Sequence, residues 1–252
     1  SRDGKWVTYV SFPGGSLFRA ALDGSQLLQL TSSPLIAGSP HWSPNGKEIA
    51  FIGHHADGPK RVYLVALDGS GLRQVTNGES GKDGDIDPSW SPDGESLAFG
   101  ANIGDSLGHE FIRVVDLKTA HISVLPGSLG MWSPRWSPDG LVIAGLSEEP
   151  TLYAVGSGRL MLYDFRTQKQ SRLFDQHSGW PSWSPDGESL FFFSEGWAWR
   201  VRMRDRKAEP ITNLQKMRVA GWGWFAAAPN NSFITAVDAG TEEIFDLDWK
   251  AP

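Results

Sequence analysis

One short element recurs along this chain and restricts its fold more than any other feature. Ser-x-(Asp/Asn)-Gly begins at Ser1, Ser43, Ser91, Ser137 and Ser184, and a degraded copy reads Ala228-Pro229-Asn230-Asn231. Four copies extend to Pro-x-Trp-Ser-Pro-(Asp/Asn)-Gly, starting at Pro40, Pro88, Pro134 and Pro181. The period is about 45 residues, and each interval holds four strand-like runs. Those two properties together predict radially arranged four-stranded blades and argue against a helical solenoid. The expected fold class is therefore all-β: a β-propeller of antiparallel four-stranded blades, with about six blades visible.

Residues 85–125 show the grammar of one repeat. Asp85 to Trp90 reads as a first strand and Ser91-Pro92-Asp93-Gly94 as a turn. Proline presets φ at the second turn position, and glycine tolerates φ > 0 at the fourth. Ser96 to Gly100, Phe111 to Asp116 and His121 to Leu125 complete the blade, with a variable loop before Glu110. Period-two alternation fits sheet faces that pack on neighbouring blades. No window carries a sustained helical period. The whole chain reads as a single domain, with blades at about 1–36, 37–83, 84–130, 131–178, 179–220 and 221–252.

Ser1 falls at the turn between a first and a second strand, so the inner strand of blade one is missing from this sequence. A sheet edge left open along a channel is costly and adhesive. The expectation is a fragment of a larger propeller, and the alternative is a six-bladed ring with two thin blades.

Composition narrows the classes of function. The formal net charge is −6, which speaks against a general nucleic-acid binder. Cysteine is absent, which excludes disulfides and cysteine-ligated metals. No stretch approaches the ~20 apolar residues of a membrane-spanning helix. Four of the twelve tryptophans, Trp42, Trp90, Trp136 and Trp183, occupy one repeat position and read as core.

Variable loops on a regular frame are the usual place for function. The links from second to third strand, and from fourth strand to the next blade, share one face. That face is expected to hold the site at the channel mouth. Trp132, Trp180, Trp222 and Trp224 fall at or just before inner strands, outside the regular tryptophan position. They are the candidates for an aromatic ring suited to peptide, protein side chain or sugar, the alternative being packing between blades. Asp85, Asp87, His177 and Arg135 complete the candidate ligand-binding set, with His41 at the same repeat position as Arg135. Asp85 and Asp87, with Asp83 nearby, and His54, with His55 and Asp57, are weak metal candidates. Ca²⁺ suits such carboxylates, but the spacing is not that of a cation-binding loop, and solvated turn residues are commoner. No cofactor and no catalytic residue are expected. No Gly-x-Ser-x-Gly nucleophile element occurs.

The repeat Pro-x-Trp-Ser-Pro-Asp-Gly-x-x-(Ile/Leu)-Ala-Phe, closest at residues 40–51 and 88–99, resembles that of the TolB family of WD-like propellers. The whole chain also resembles the C-terminal propeller regions of large bacterial winged-helix or kinase regulators. These resemblances imply a periplasmic or otherwise exported module that works by contact with a protein, peptide or glycan. The charge and the lack of a long apolar stretch lead us to expect neither nucleic-acid binding by this domain nor membrane insertion, and a monomer is expected unless the incomplete ring pairs with another chain. A binding or scaffold module is the leading expectation. A metal-assisted hydrolase or lyase in the channel, and a structural spacer, are the alternatives.

Overall fold

The structure, a computed structural model, describes residues 1–77, 84–102, 110–147, 158–215, 225–228, 230 and 232–235. Among these residues there is no helix, so none is long and apolar enough to cross a membrane. All regular structure is antiparallel strand, arranged in successive blades. Blade I holds β1 (Trp6–Val10), β2 (Leu17–Ala21) and β3 (Leu28–Gln29). Blade II holds β4 (Ile36–Trp42), β5 (Glu48–His54), β6 (Arg61–Ala66) and β7 (Arg73–Gln74). Blade III holds β8 (Asp85–Trp90), β9 (Ser96–Asn102), β10 (Glu110–Asp116) and β11 (Ile122–Val124). Blade IV begins with β12 (Met131–Trp136), β13 (Val142–Ser147) and β14 (Gly158–Asp164). The next strand, β15 (Lys169–Trp183), is the outer strand of blade IV and the inner strand of blade V. Blade V continues with β16 (Ser189–Ser194), β17 (Trp197–Arg202) and β18 (Lys207–Asn213), and β19 (Phe225–Ala227) pairs with β20 (Phe233–Thr235) in blade VI. Within each blade, strands sit in chain order. The boundary drawn from sequence at 178/179 lies inside β15, because the chain passes between these blades without a turn. The third strand expected at 241–249 lies outside the described residues.

The turn chemistry explains why the motif recurs. The hydroxyls of Ser43, Ser91, Ser137 and Ser184 donate to Asn45, Asp93, Asp139 and Asp186 at 2.5–2.8 Å. Each hydroxyl also accepts the backbone N–H five residues on, from Glu48, Ser96, Val142 or Ser189. The glycine N–H closes the turn onto the serine carbonyl, as in Gly94 to Ser91 at 2.9 Å. Asp93 is held below the usual carboxylate range, first by the Ser91 hydroxyl and then by the Glu95 N–H.

The run Ile49-Ala50-Phe51, repeated as Leu97-Ala98-Phe99, sets how blades stack. On a strand, alternate side chains leave opposite faces. The large residues Ile49 and Phe51 pack with Leu17 and Leu30 of blade I, whereas Ala50 packs with Leu97 and Phe99 of blade III. Leu97 and Phe99 in turn face blade II, and Ala98 packs with Met131 and Ile143 of blade IV. A bulky face meeting a small face gives interdigitation at crystal-like density. The core is thus a series of layers between blades, and each fully buried large apolar side chain contributes about 1.5–3 kcal/mol.

Short outer strands are secured by buried hydroxyls. Thr31, Thr76 and Ser128 accept the N–H groups of Leu17, Val62 and Ile112 at 2.9, 2.9 and 3.0 Å. Thr76→Val keeps the shape but leaves the buried Val62 N–H without its acceptor. The expected loss is about 1–3 kcal/mol in urea unfolding. An unchanged unfolding midpoint would show that this hydroxyl does not hold the outer strand.

Candidate binding site at the hub

Every complete inner strand carries the same irregularity. The ladder slips between Gly38 and His41, Ile86 and Ser89, Trp132 and Arg135, and Gly179 and Ser182. The residue before the repeat proline has positive φ each time: Ser39 (45°), Asp87 (49°), Ser133 (51°) and Trp180 (56°). For an L-residue this conformation is uncommon, and for a bulky one it is a true outlier. A β-bulge re-aims side chains. Its recurrence in four blades turns the following segment, Pro-x-Trp, toward the axis.

The result is a cavity of about 400 Å³ at the hub. Its wall is built from Pro-x-Trp-Ser-Pro segments of blades II to V, together with Trp6, Val7 and Thr8 of β1 and Ala226 and Ala227 of β19. The repeat prolines form a collar. A methyl added to Gly94 or Gly187 would touch Pro44 at 3.8 Å or Pro138 at 3.5 Å, so each turn nests on its predecessor.

The residue between proline and tryptophan alternates between bulky (His41, Arg135) and small (Ser89, Ser182), and the joints between blades alternate with it. Where the residue is bulky, its carbonyl accepts the next blade's indole: Trp90 Nε1 to His41 O at 3.1 Å, and Trp183 Nε1 to Arg135 O at 2.8 Å. Where it is serine, its hydroxyl accepts a backbone amide instead: Trp136 N to Ser89 Oγ, and Ala227 N to Ser182 Oγ, both 2.9 Å. Ala227 stands at the tryptophan position of the degraded repeat.

His41 and Arg135 both line the cavity, and Asp87 lies within electrostatic reach of both. Burial and the Arg135 charge push His41 down to about 3 against the opposing pull of Asp87, so the imidazole is neutral at pH 7. Burial also lowers Arg135, and Asp87 opposes that shift. An imidazole whose folded pKa lies below its unfolded value leaves the unfolded chain binding more protons between the two. Stability is therefore expected to fall as pH drops below about 6.5 toward about 3. Below 3.8, depressed carboxylates such as Asp93 lose their contribution as well. Thermal midpoints across pH should decline already between 6.5 and 4, and His41→Gln should flatten that part of the profile. An identical profile in the variant would remove His41 as the cause.

The expected site residues divide. Trp180 and Arg135 line the cavity, and Asp87, only 6% exposed, stands beside it. Trp132 instead packs on the layer between blades IV and V. Asp85 is 1% exposed and turned to Arg61, with 3.7 Å between Oδ2 and Nη1. The carboxylates of Asp85 and Asp87 therefore have different neighbours. His177 lies on β15, where its carbonyl accepts the Ser194 hydroxyl at 2.6 Å, and His54 Nδ1 stands 3.0 Å from His55 O. Trp222, Trp224 and Asp83 lie outside the described residues. No group of three His, Asp or Glu side chains suited to a metal occurs among the described residues.

Sequence reasoning placed the site on the variable-loop face, whereas this cavity lies among the uniform repeat turns. It read Trp42, Trp90, Trp136 and Trp183 as core, and all four pack in the layers between blades. All four touch the cavity, although Trp90 is only 8% exposed. The alternation of bulky and small residues ahead of these tryptophans was the available signal.

The architecture is that of a β-propeller. A family model described as the TolB beta propeller domain matches residues 1–106. The Tol-Pal system protein TolB of Syntrophus aciditrophicus is 35% identical over 60 residues, which is 24% of this chain and 13% of that protein. The crystal structure of TolB from Acinetobacter baumannii superposes with a TM-score of 0.72 at 23% identity, covering 90% of this chain and 56% of that one. A structure described as a TolB candidate from Agrobacterium tumefaciens also gives 0.72, at 20% identity, covering 94% of this chain and 87% of that one. The fold is thus TolB-like, and the sequence match to the curated relative spans about an eighth of that protein's length.

Proposed function

We propose that this chain is a non-catalytic interaction module that receives a protein partner at the hub cavity, outside the cytoplasm, as part of a larger bacterial protein. One observation carries the reading. Five blades and β19 converge on a cavity of about 400 Å³ whose wall combines tryptophan and proline with a cationic side chain. Aromatic residues and arginine are the side chains enriched where proteins bind proteins. The resemblance to Tol-Pal system proteins supports an exported, contact-based role. The A. baumannii TolB, of which this chain covers 56%, supports the larger setting.

Photocrosslinking tests the proposal. A benzophenone amino acid placed at Pro185, in the cavity wall, should yield adducts with one defined protein in the native cell envelope. The same group at Leu129, which is exposed and outside the wall, should not. Equal adducts from both positions, or none from Pro185, would overturn it. So would a hydrolytic or eliminative turnover abolished by Arg135→Gln.

A further inference from the structure

We infer that the hub cavity selects an acidic peptide segment, with Arg135 as the anchor for its carboxylate. This rests on the reading that the cavity receives a protein partner, and it names the chemistry of that partner.

The charge of the wall is the first observation. The chain carries a net charge of −6, yet no aspartate or glutamate occurs among the described residues lining the cavity. Arg2 and Arg135 line it, and His41 beside them is neutral at pH 7. The arginine supplies the second observation. A guanidinium offers five N–H donors in a planar fork that matches a carboxylate. Arg135 donates through Nη1 to its own neighbour, Pro134 O, at 2.7 Å. Among the described residues no carboxylate lies within 4 Å of it, and Asp87 acts on it only from farther away. A cation held in a partly desolvated wall gains more from an incoming anion than one in open water.

The remaining polar groups decide between a peptide and a sugar acid. The six serine hydroxyls of the wall are already engaged, and Thr8 adds one further hydroxyl. Ser43, Ser137 and Ser184 bond within their turns, Ser89 and Ser182 hold the next blade, and Ser1 bonds Asp3 and the Trp6 amide. A polyhydroxylated ligand would therefore find few partners, and its own hydroxyls would be desolvated without compensation. What the wall does offer is the collar of Pro44, Pro92, Pro138 and Pro185 and the faces of the tryptophans, with the cations Arg2 and Arg135. That arrangement suits a carboxylate flanked by apolar residues.

Arg135 is open to testing because its structural bond uses the backbone carbonyl, which accepts the Trp183 indole whatever the side chain. Arg135→Gln should therefore fold, with a thermal midpoint close to that of the parent. The experiment uses short immobilised peptides in matched sets, with one central residue varied among Glu, Gln and Lys between apolar neighbours. Each set is made with a free and with an amidated C-terminus. The parent should bind the Glu set ~10-fold more tightly than the Gln set, and added salt should reduce the difference. Arg135→Gln should abolish the preference, and Arg135→Lys should retain part of it. Preference for a free C-terminus over internal Glu would assign the carboxylate to a chain end. Equal binding of Glu and Gln sets, or preference for Lys, overturns acid selection while leaving the cavity as a peptide site. Displacement of every peptide by a uronate oligosaccharide that binds more tightly overturns the peptide assignment. Binding of no set overturns both this inference and the reading it rests on.

Discussion

Trp90→Ala is expected to destabilise the protein by about 3–5 kcal/mol, as does removal of a large aromatic side chain from other cores. Trp90 is 8% exposed and packs in the layer made by Ala50, Val62 and Leu64 of blade II with Leu97, Phe99 and Val115 of blade III. Its indole N–H also spans the joint to the carbonyl of His41 at 3.1 Å. The truncation therefore opens a void between two blades and removes the bond that ties them at the hub. Trp90→Phe separates these effects, since it restores most of the apolar volume but not the donor. It should recover most of the loss, leaving a deficit of about 1 kcal/mol for the missing hydrogen bond. Urea unfolding of the three proteins measures both steps. A loss below about 1 kcal/mol for the alanine variant would mean that the layer closes over the void.

Gly84→Ala should be nearly as damaging, by about 2–5 kcal/mol, through backbone and steric effects together. Gly84 has φ of 74°, and an added Cβ would lie 2.6 Å from Lys60 N and closer still to Lys60 O. The clash is with backbone, which cannot swing aside as a side-chain tip can. Lys60 O accepts the Asp85 N–H at 3.0 Å, and the neighbouring Arg61 faces the buried Asp85 carboxylate. Moving Lys60 would therefore disturb a desolvated ion pair at the start of the inner strand that carries Asp87. Gly24→Ala provides the control. Its φ of 81° imposes a similar conformational cost, but nothing lies within 4 Å of the added methyl. It should lose only about 1–2 kcal/mol. Equal losses at both sites would show that the contact with Lys60 is relieved without cost.

The comparison of sequence with structure divides along a physical line. Local chemistry was readable. Ser-Pro-Asp-Gly specifies its turn through side chains two to five residues apart, and Ile-Ala-Phe specifies a strand with one bulky and one small face. Both are complete within a short window, so strands such as Asp85–Trp90 and Phe111–Asp116 could be drawn almost to the residue. The site depends on how several blades converge, which no single window contains. Trp132 and Trp180 hold equivalent-looking places near inner strands and both pack on the layer between blades IV and V, yet only Trp180 also reaches the cavity. The difference lies in the bulge: Trp180 occupies the positive-φ position, and Trp132 stands one residue before it. A residue such as tryptophan in that conformation has no sequence signature, because local preference opposes it.

The uninterrupted strand β15 has a mechanical consequence. Blades IV and V form one hydrogen-bonded sheet of seven strands, from β12 to β18, whereas blades I, II and III are separate sheets. A strand paired on both sides of the joint ties blade to blade through ladder hydrogen bonds that an unpaired linker lacks, even though it bends at the bulges opposite Arg159–Met161 and at Gly179–Ser182. The two blades should move as one stiff plate, and amides on both sides of residue 178 should exchange with solvent at similar rates. Any widening of the hub to admit a bulky segment then has to come from the joints other than that between blades IV and V. Arg135 and Trp180 stand on this joined sheet, whereas His41 and Asp87 stand on blades II and III, so an opening at the first joints would leave Arg135 in place.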